Sequence, residues 1–435
     1  MPATTPTSDT RDSILERAAR VIPNGVSSAG RAEPREVIVR AQGAYLWNTE
    51  GRRYIDYLNS WGAIVIGHAD RRVNEAVARS MRETDLMWVG PQRGEVELAE
   101  AIASVMPSAE KVAFFPTGTD SALHAAHLAR LATGRRRLLM FHGSYNGWVD
   151  PIAIGSRFDY GDTAPAPDEL NSGGLDPAAA SDAIVVDWND SQAVRAAFER
   201  HGDEIAAVIT EPYIHTFGAV PPAPGFLETL RDITSRHGAV LVFDEVKTGF
   251  RAHLGGYQAI AAVTPDLTTF GKAVANGWTL AGLAGKAELM DLLGEGGPDS
   301  ADSNGTMNAQ PYALAAGLAT FEILRDGGIE RLYELGERMR SGLNQAISSS
   351  GIEAVVSGFG SEWALYFRSE VPRNYREAAH DHDHESGEAY LAAMLERGVL
   401  EPPFVLGDRR LNLATTEADI DETVEAAASA FEAIA

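Results

Sequence analysis

Between about residues 110 and 285 the chain alternates short apolar runs with longer stretches of helical spacing. Val112–Phe115 is apolar, and after a turn a helix is predicted over about Ser121–Leu131. Leu138–Phe141 and Ala183–Val186 repeat the apolar run, and Ser191–Arg200 repeats the helical spacing. Ala206–Ile209 leads through a loop to a predicted helix over Pro224–Arg236, which Gly238 is placed to cap. Ala239–Phe243 is then a β-branched apolar run, the most strand-like in the chain. Alternation of this kind predicts an α/β domain with a mostly parallel sheet. Such sheets place ligands at the carboxyl ends of their strands.

The last third reads differently. Pro311–Leu324 and Ile329–Ile347 predict helices, and Ile329, Leu332, Leu335, Met339 and Leu343 fall on one face. A strand-like run at Trp363–Phe367, a polar loop and a helix over Ala389–Arg397 follow, as in a smaller α+β domain. Tyr45–Trp47 and Tyr54–Leu58 predict an antiparallel hairpin around Asn48–Arg52 that packs with this domain. The expected division is residues 1–60 joining the small domain, 61–315 forming the large one and 316–435 completing the small one.

Composition narrows the classes. A 435-residue chain that is 45% hydrophobic can bury a core in each of two domains. A net charge of −24 repels nucleic acid and anionic membranes, so neither is an expected partner. The chain has no cysteine, which excludes disulfides and thiolate metal sites. Met1–Thr10 is polar, lacks the order of a signal peptide and reads as a short disordered tail. No apolar run approaches the ~20 residues needed to span a bilayer. The expectation is a cytoplasmic enzyme.

Three motifs carry candidate chemistry. Thr117-Gly118-Thr119-Asp120-Ser121 follows a predicted strand and opens a helix. Free backbone N–H groups, a helix dipole and hydroxyls there can cradle a phosphate, although the same cluster also suits a plain helix cap. Phe243-Asp244-Glu245-Val246 ends the strongest predicted strand, so a carboxylate points into the ligand crevice. Lys272 lies in a stretch, Leu267–Gly285, with no other charge. A desolvated lysine has a lowered pKa and forms Schiff bases with aldehydes, whereas most lysines are surface groups. Lys272 follows Asp244 by 28 residues.

Taken together, the chain resembles the class III aminotransferases, which use pyridoxal 5′-phosphate (PLP) on fold type I. Within them it is similar to the glutamate-1-semialdehyde aminomutase-like branch. The resemblance runs through Gly43–Asp56, Glu95–Glu100, Phe141–Gly147, Phe243–Arg251, Pro265–Lys272, Gly305-Thr306 and Leu413–Asp421. It implies a large domain around a seven-stranded-type sheet. It also implies Lys272 as the Schiff-base lysine and proton shuttle, and Asp244 as partner of the cofactor's ring nitrogen. Gly118 and Thr119 match the phosphate-binding pair, Tyr145 and Val246 the groups on the two ring faces, and Glu211 the acid placed near the cofactor. Gly305 and Thr306 match the pair that reaches the phosphate from a second subunit, which implies a homodimer with its site at the interface. Ser28, Arg31 and Trp61 match substrate-binding positions, where a guanidinium suits a carboxylate.

Some positions depart from the aminomutase pattern. Thr216 stands where an asparagine is usual, and Asn146 follows Tyr145 where histidine is frequent. The gating segment is replaced by Ser156–Ser181, with Asp159, Asp162, Asp168 and Glu169, and no acidic substrate residue can be matched within Glu401–Asn412. A mutase must retain its intermediate behind a closed gate, whereas a transferase must exchange substrates. The expected reaction is therefore ping-pong transfer from an amino-acid donor, glutamate being a reasonable one, to a keto or aldehyde acceptor. An aminomutase or epimerase on the same scaffold is the alternative. A catalytically idle PLP-binding protein is disfavoured by the complete set of cofactor positions. Arg31, Arg409 or Arg410 suggest a carboxylate-bearing substrate. His380–Glu385 has metal-like composition but is read as a solvated loop with no metal, and Arg135–Arg137 as a solvated helix end.

Overall fold

The computed structural model describes residues 10–31, 36–155 and 172–434. Three strands come first: β1 (Ile38–Gln42), β2 (Tyr45–Asn48) and β3 (Arg53–Asp56). Seven then build the main sheet: β4 (Lys111–Phe115), β5 (Arg137–Phe141), β6 (Ala183–Val186), β7 (Ile205–Thr210), β8 (Val240–Glu245), β9 (Leu267–Phe270) and β10 (Ala281–Gly285). Their order is β4-β10-β9-β8-β7-β5-β6, and β10 alone runs antiparallel to its neighbours. This is the α/β fold type I architecture expected. The runs at 138–141, 183–186, 206–209 and 239–243 lie in β5 to β8 within one residue at either end, apart from Glu245, which extends β8 by two. Strands β7 and β8 are buried at every position, as befits a parallel sheet covered on both faces. Helices Gly118–Thr133, Ser191–His201 and Phe226–His237 flank it, the last ended by Gly238 at φ +62°.

The two chain ends meet. β3 pairs in parallel with the strand Val399–Leu400, so the N-terminal hairpin and the C-terminal region share one four-stranded sheet. Ile55 and Tyr57 pack into the same core as Leu335, Met339 and Leu343 of the helix Ile329–Ser350, the face foreseen from spacing. The predicted second hairpin strand is shorter than expected. Asp56 turns its carboxylate back to the backbone N–H groups of Leu58 and Asn59, which ends β3 before Tyr57.

Three further expectations are corrected. Thr10 belongs to no disordered tail, since its hydroxyl caps the helix Arg11–Val21, while residues 1–9 lie outside the described residues. His380–Glu385 is a junction between two helices. His380 ends one, Asp383 caps the next by accepting from the Ser386 N–H at 3.0 Å, and His382 is buried against Phe367. Local capping by Asp383 therefore starts that helix five residues earlier than its apolar spacing suggested. Arg135–Arg137 is also no solvated helix end. The helix stops at Gly134 in the left-handed region, Arg137 enters β5 and pairs with Glu204 at 3.0 Å, and Arg136 reaches Asp182 at 3.4 Å. Among the described residues, no helix is long and apolar enough to cross a membrane.

Candidate active site

The site forms at the carboxyl ends of the central strands. A cavity of about 250 Å³ is lined by Gly118, Thr119, Tyr145, Glu211, Asp244, Val246 and Lys272, among others. Seven sequence-selected residues from five chain segments thus converge on one space.

Asp244 arrives there because alternate residues of a strand face opposite ways. Its neighbour Glu245 turns the other way and is consumed by Thr248, Gln258 and the backbone N–H of Tyr257. Asp244 accepts from Asn146 Nδ2 at 2.8 Å, Thr269 Oγ1 at 3.1 Å and the Val246 N–H at 3.1 Å. Burial pushes its carboxyl above the usual range, partly offset by the Asn146 amide. Such a carboxylate gains from a cationic partner in the cavity.

Lys272 follows β9 at a positive φ of 49° and opens the 3-10 turn Lys272–Ala275, in the connection that leads to β10. Burial, with added repulsion from Lys247 and Arg410, pushes its ammonium down to about 7, against the favourable pull of Asp244 and Glu211.

Thr117 caps the helix Gly118–Thr133 in a capping box with Asp120, so that cluster is a cap as well as a cradle. The helix N-terminus opens on the cavity, and a Cβ at Gly118 would lie 3.0 Å from Val246 Cγ2, close enough that the valine would have to shift. Tyr145 leaves 43% of its surface exposed toward the opening. Glu211 is buried, accepting from the His215 N–H at 2.9 Å and from the Thr216 hydroxyl. Thr216, noted as a departure, therefore serves Glu211.

The remaining sequence choices lie elsewhere. Ser28 precedes and Arg31 ends a short exposed 3-10 turn, Ala29–Arg31, and neither lines the cavity. Trp61 is half-buried, stacked on Phe404 at 5.3 Å, with Gly30 packed beside its ring. Gly305 lies in a turn next to exposed Thr306, and neither lines the cavity of its own chain. Of the two C-terminal arginines, Arg409 is engaged by Glu401 at 2.9 Å and by the carbonyls of Val405 and Gly407. Arg410 is also buried, bound to Glu362 at 3.2 Å and to Asp408.

Sequence reasoning missed several cavity residues. Asn146 was visible only as a departure, and its link to Asp244 spans 98 positions. Thr269, and the wall formed by Trp278, Thr279 and Leu280, carry no local signal. Lys247 lies inside a recognised motif and also lines the cavity.

These residues fit PLP. The helix N-terminus and hydroxyls suit a phosphate, a buried carboxylate suits a protonated ring nitrogen, and a lysine of lowered proton affinity suits an aldehyde. The chain belongs to the family described as Aminotransferase class-III, which it matches over residues 27–431. These are PLP-dependent enzymes. The chain is 38% identical to a glutamate-1-semialdehyde 2,1-aminomutase of Neisseria gonorrhoeae over 433 residues, 97% of this chain and 98% of the relative. Among solved structures, an omega-transaminase from Sphaerobacter thermophilus superposes with a TM-score of 0.91 at 30% identity, covering 100% of this chain and 98% of that one. A β-phenylalanine aminotransferase from Variovorax paradoxus gives 0.85 at 31% identity, covering 96% and 93%.

Proposed function

We propose that this enzyme moves an amino group on a carboxylate-bearing substrate, and that it does so within one molecule, as a glutamate-1-semialdehyde 2,1-aminomutase does. The chemistry rests on one observation: a lysine with its proton affinity lowered to about 7 shares a cavity with a buried, three-fold hydrogen-bonded carboxylate. The intramolecular reading is supported by the nearly full-length similarity to curated aminomutases. It takes precedence over the intermolecular transfer expected from the sequence. That expectation leaned on the rewritten gate, most of which (residues 156–171) lies outside the described residues. Intermolecular transfer is the second reading, favoured by the transaminases among the similar structures.

PLP, when bound, supplies a ring that withdraws electrons from the carbon losing its proton. Lys272 Nζ, poised near neutrality, takes that proton and returns it. Asp244 would hold the ring nitrogen protonated, and Asn146 and Thr269 fix the carboxylate for that task. Gly118 and Thr119 would hold the phosphate, Tyr145 and Val246 flank the ring, and Glu211 stands at the strand end beside it. Gly305 and Thr306 would complete the phosphate site of a second copy, which makes the working unit a homodimer; their position outside their own cavity supports this. Ser28, Arg31 and Trp61 would cover the substrate. The three-part domain division and a cytoplasmic setting belong to the same reading, the former supported by the shared four-stranded sheet.

The test is a single-turnover reaction of holoenzyme without acceptor. Isomerisation of glutamate-1-semialdehyde with no free keto acid supports the mutase. One equivalent of keto acid per site from glutamate or another donor assigns the transferase. Lys272→Ala is expected to hold cofactor yet lose turnover, and appreciable turnover in that variant would sink both readings.

A further inference from the structure

Behind the cavity wall lies a buried charge cluster that no cofactor contact explains. His215 sits between two carboxylates, with Nε2 3.0 Å from Glu362 and Nδ1 3.3 Å from Asp408. All three are essentially inaccessible. Arg410 bridges the same two carboxylates, and Arg251 braces the cluster through the carbonyls of Gly62, Ile64 and Leu411. Buried ions of this kind are held by mutual pairing, and removing one partner strands the other.

One member reaches out of the cluster. Lys247 follows Val246 directly, and it lines the cavity together with Lys272 and Asp244. Its Nζ donates to the His215 carbonyl at 2.9 Å and faces Asp408 Oδ1 at 3.4 Å. An ammonium has three donors. Among the described residues these two contacts occupy two, which leaves one donor on a side chain that lines the cavity. Arg410 stays behind the cavity wall, fully buried against Gly62 and outside the cavity lining, so Lys247 is the cluster's cation that reaches the cavity. A cation clamped in place before binding loses little freedom when an anion arrives.

We propose that Lys247 is a specificity-determining residue, whose clamped ammonium receives a substrate carboxylate remote from the reacting carbon. Asp408 and the His215 carbonyl position that ammonium. This rests on the reading of the cavity as the amino-transfer site and adds what selects its substrate. A carboxylate at the far end of the substrate would lie against the lysine, keeping the amine end free for Lys272.

The test is binding of glutarate, a dicarboxylate with no amine, to holoenzyme by calorimetry. Because glutarate does not react, the result is independent of whether the enzyme proves a mutase or a transferase. Wild type is expected to bind it, Lys247→Met to bind it at least about tenfold more weakly, the scale of one lost charged hydrogen bond, and Lys247→Arg to keep most of the affinity. The visible cofactor band and the thermal midpoint identify a variant that has not folded, in which case the Arg variant is compared with wild type and Lys247→Gln. Absence of glutarate binding by wild type, or equal binding by the charged and uncharged variants, overturns the proposal.

Discussion

The lowered proton affinity of Lys272 can be read directly in the cofactor-free chain. An ordinary lysine titrates near 10.5, whereas burial here pushes the value to about 7. The difference corresponds to roughly 5 kcal/mol favouring the neutral amine, an upper figure because the side chain lines a cavity rather than a packed core. At pH 7 about half of Lys272 would then be neutral, against roughly three in ten thousand for a free lysine. The assay is competitive labelling with a trace amine-reactive reagent, read by peptide mass spectrometry from pH 5 to 11. Lys272 should label with a midpoint near 7, and Lys247→Met should raise that midpoint by on the order of half a unit, because burial outranks the neighbouring charges. A midpoint above about 9.5 in the wild-type chain would refute the reasoning. The same shift sets a stability slope. Between pH 7 and 10.5 the unfolded chain holds more protons at this site than the folded one, so the contribution of Lys272 to stability rises with pH across that window. Below pH 7 its full penalty is present.

Three other outcomes are expected. Asp244→Asn should leave the fold intact and slow turnover on the order of 10²-fold or more, the scale of a lost preorganised charge; a near-normal rate would remove the electrostatic role. Gly118→Ala should weaken PLP binding measurably, since its Cβ would press on both Val246 methyls, and Val246→Ala in the same chain should restore part of the affinity; spectrophotometric titration of cofactor decides it. Arg409→Met should lower the thermal midpoint, because Glu401 would remain buried with only the Tyr390 hydroxyl and no cation, at a cost of up to about 3–5 kcal/mol; an unchanged midpoint would show that Glu401 relaxes.

The legible part of the fold was the part governed by local pattern. β5 to β8 are continuous apolar runs with clear turn residues between them, and Gly238 marked a helix end that the structure keeps. β9 and β10 were harder, because Leu267–Phe270 is half threonine and Ala281–Gly285 is mostly glycine and alanine. Their strand character comes from burial between neighbours, a tertiary effect. In the site, the seven residues matched to cofactor contacts from one chain share one cavity, whereas Ser28, Arg31, Trp61, Gly305 and Thr306 lie outside it. Those whose meaning is a long-range hydrogen bond, such as Asn146 to Asp244 or Lys247 to Asp408, have no local signature. The histidine-rich run misled for a related reason: composition spoke of solvent, whereas a single capping aspartate and an aromatic contact folded it inward.

The reversal of direction at β10 has a mechanical consequence. Lys272 stands where the chain leaves β9 and returns antiparallel beside it, and the next turn ends in the strand that also pairs with β4. Its backbone is therefore anchored by the end of β9, while its side chain reaches into the cavity. Motion of that side chain is a rotamer change on a picosecond-to-nanosecond scale. Turnover at the usual pace of enzymes, of order ten per second, cannot be paced by it. A chain stiffened across β9 and β10 should therefore gain heat tolerance with no loss of rate.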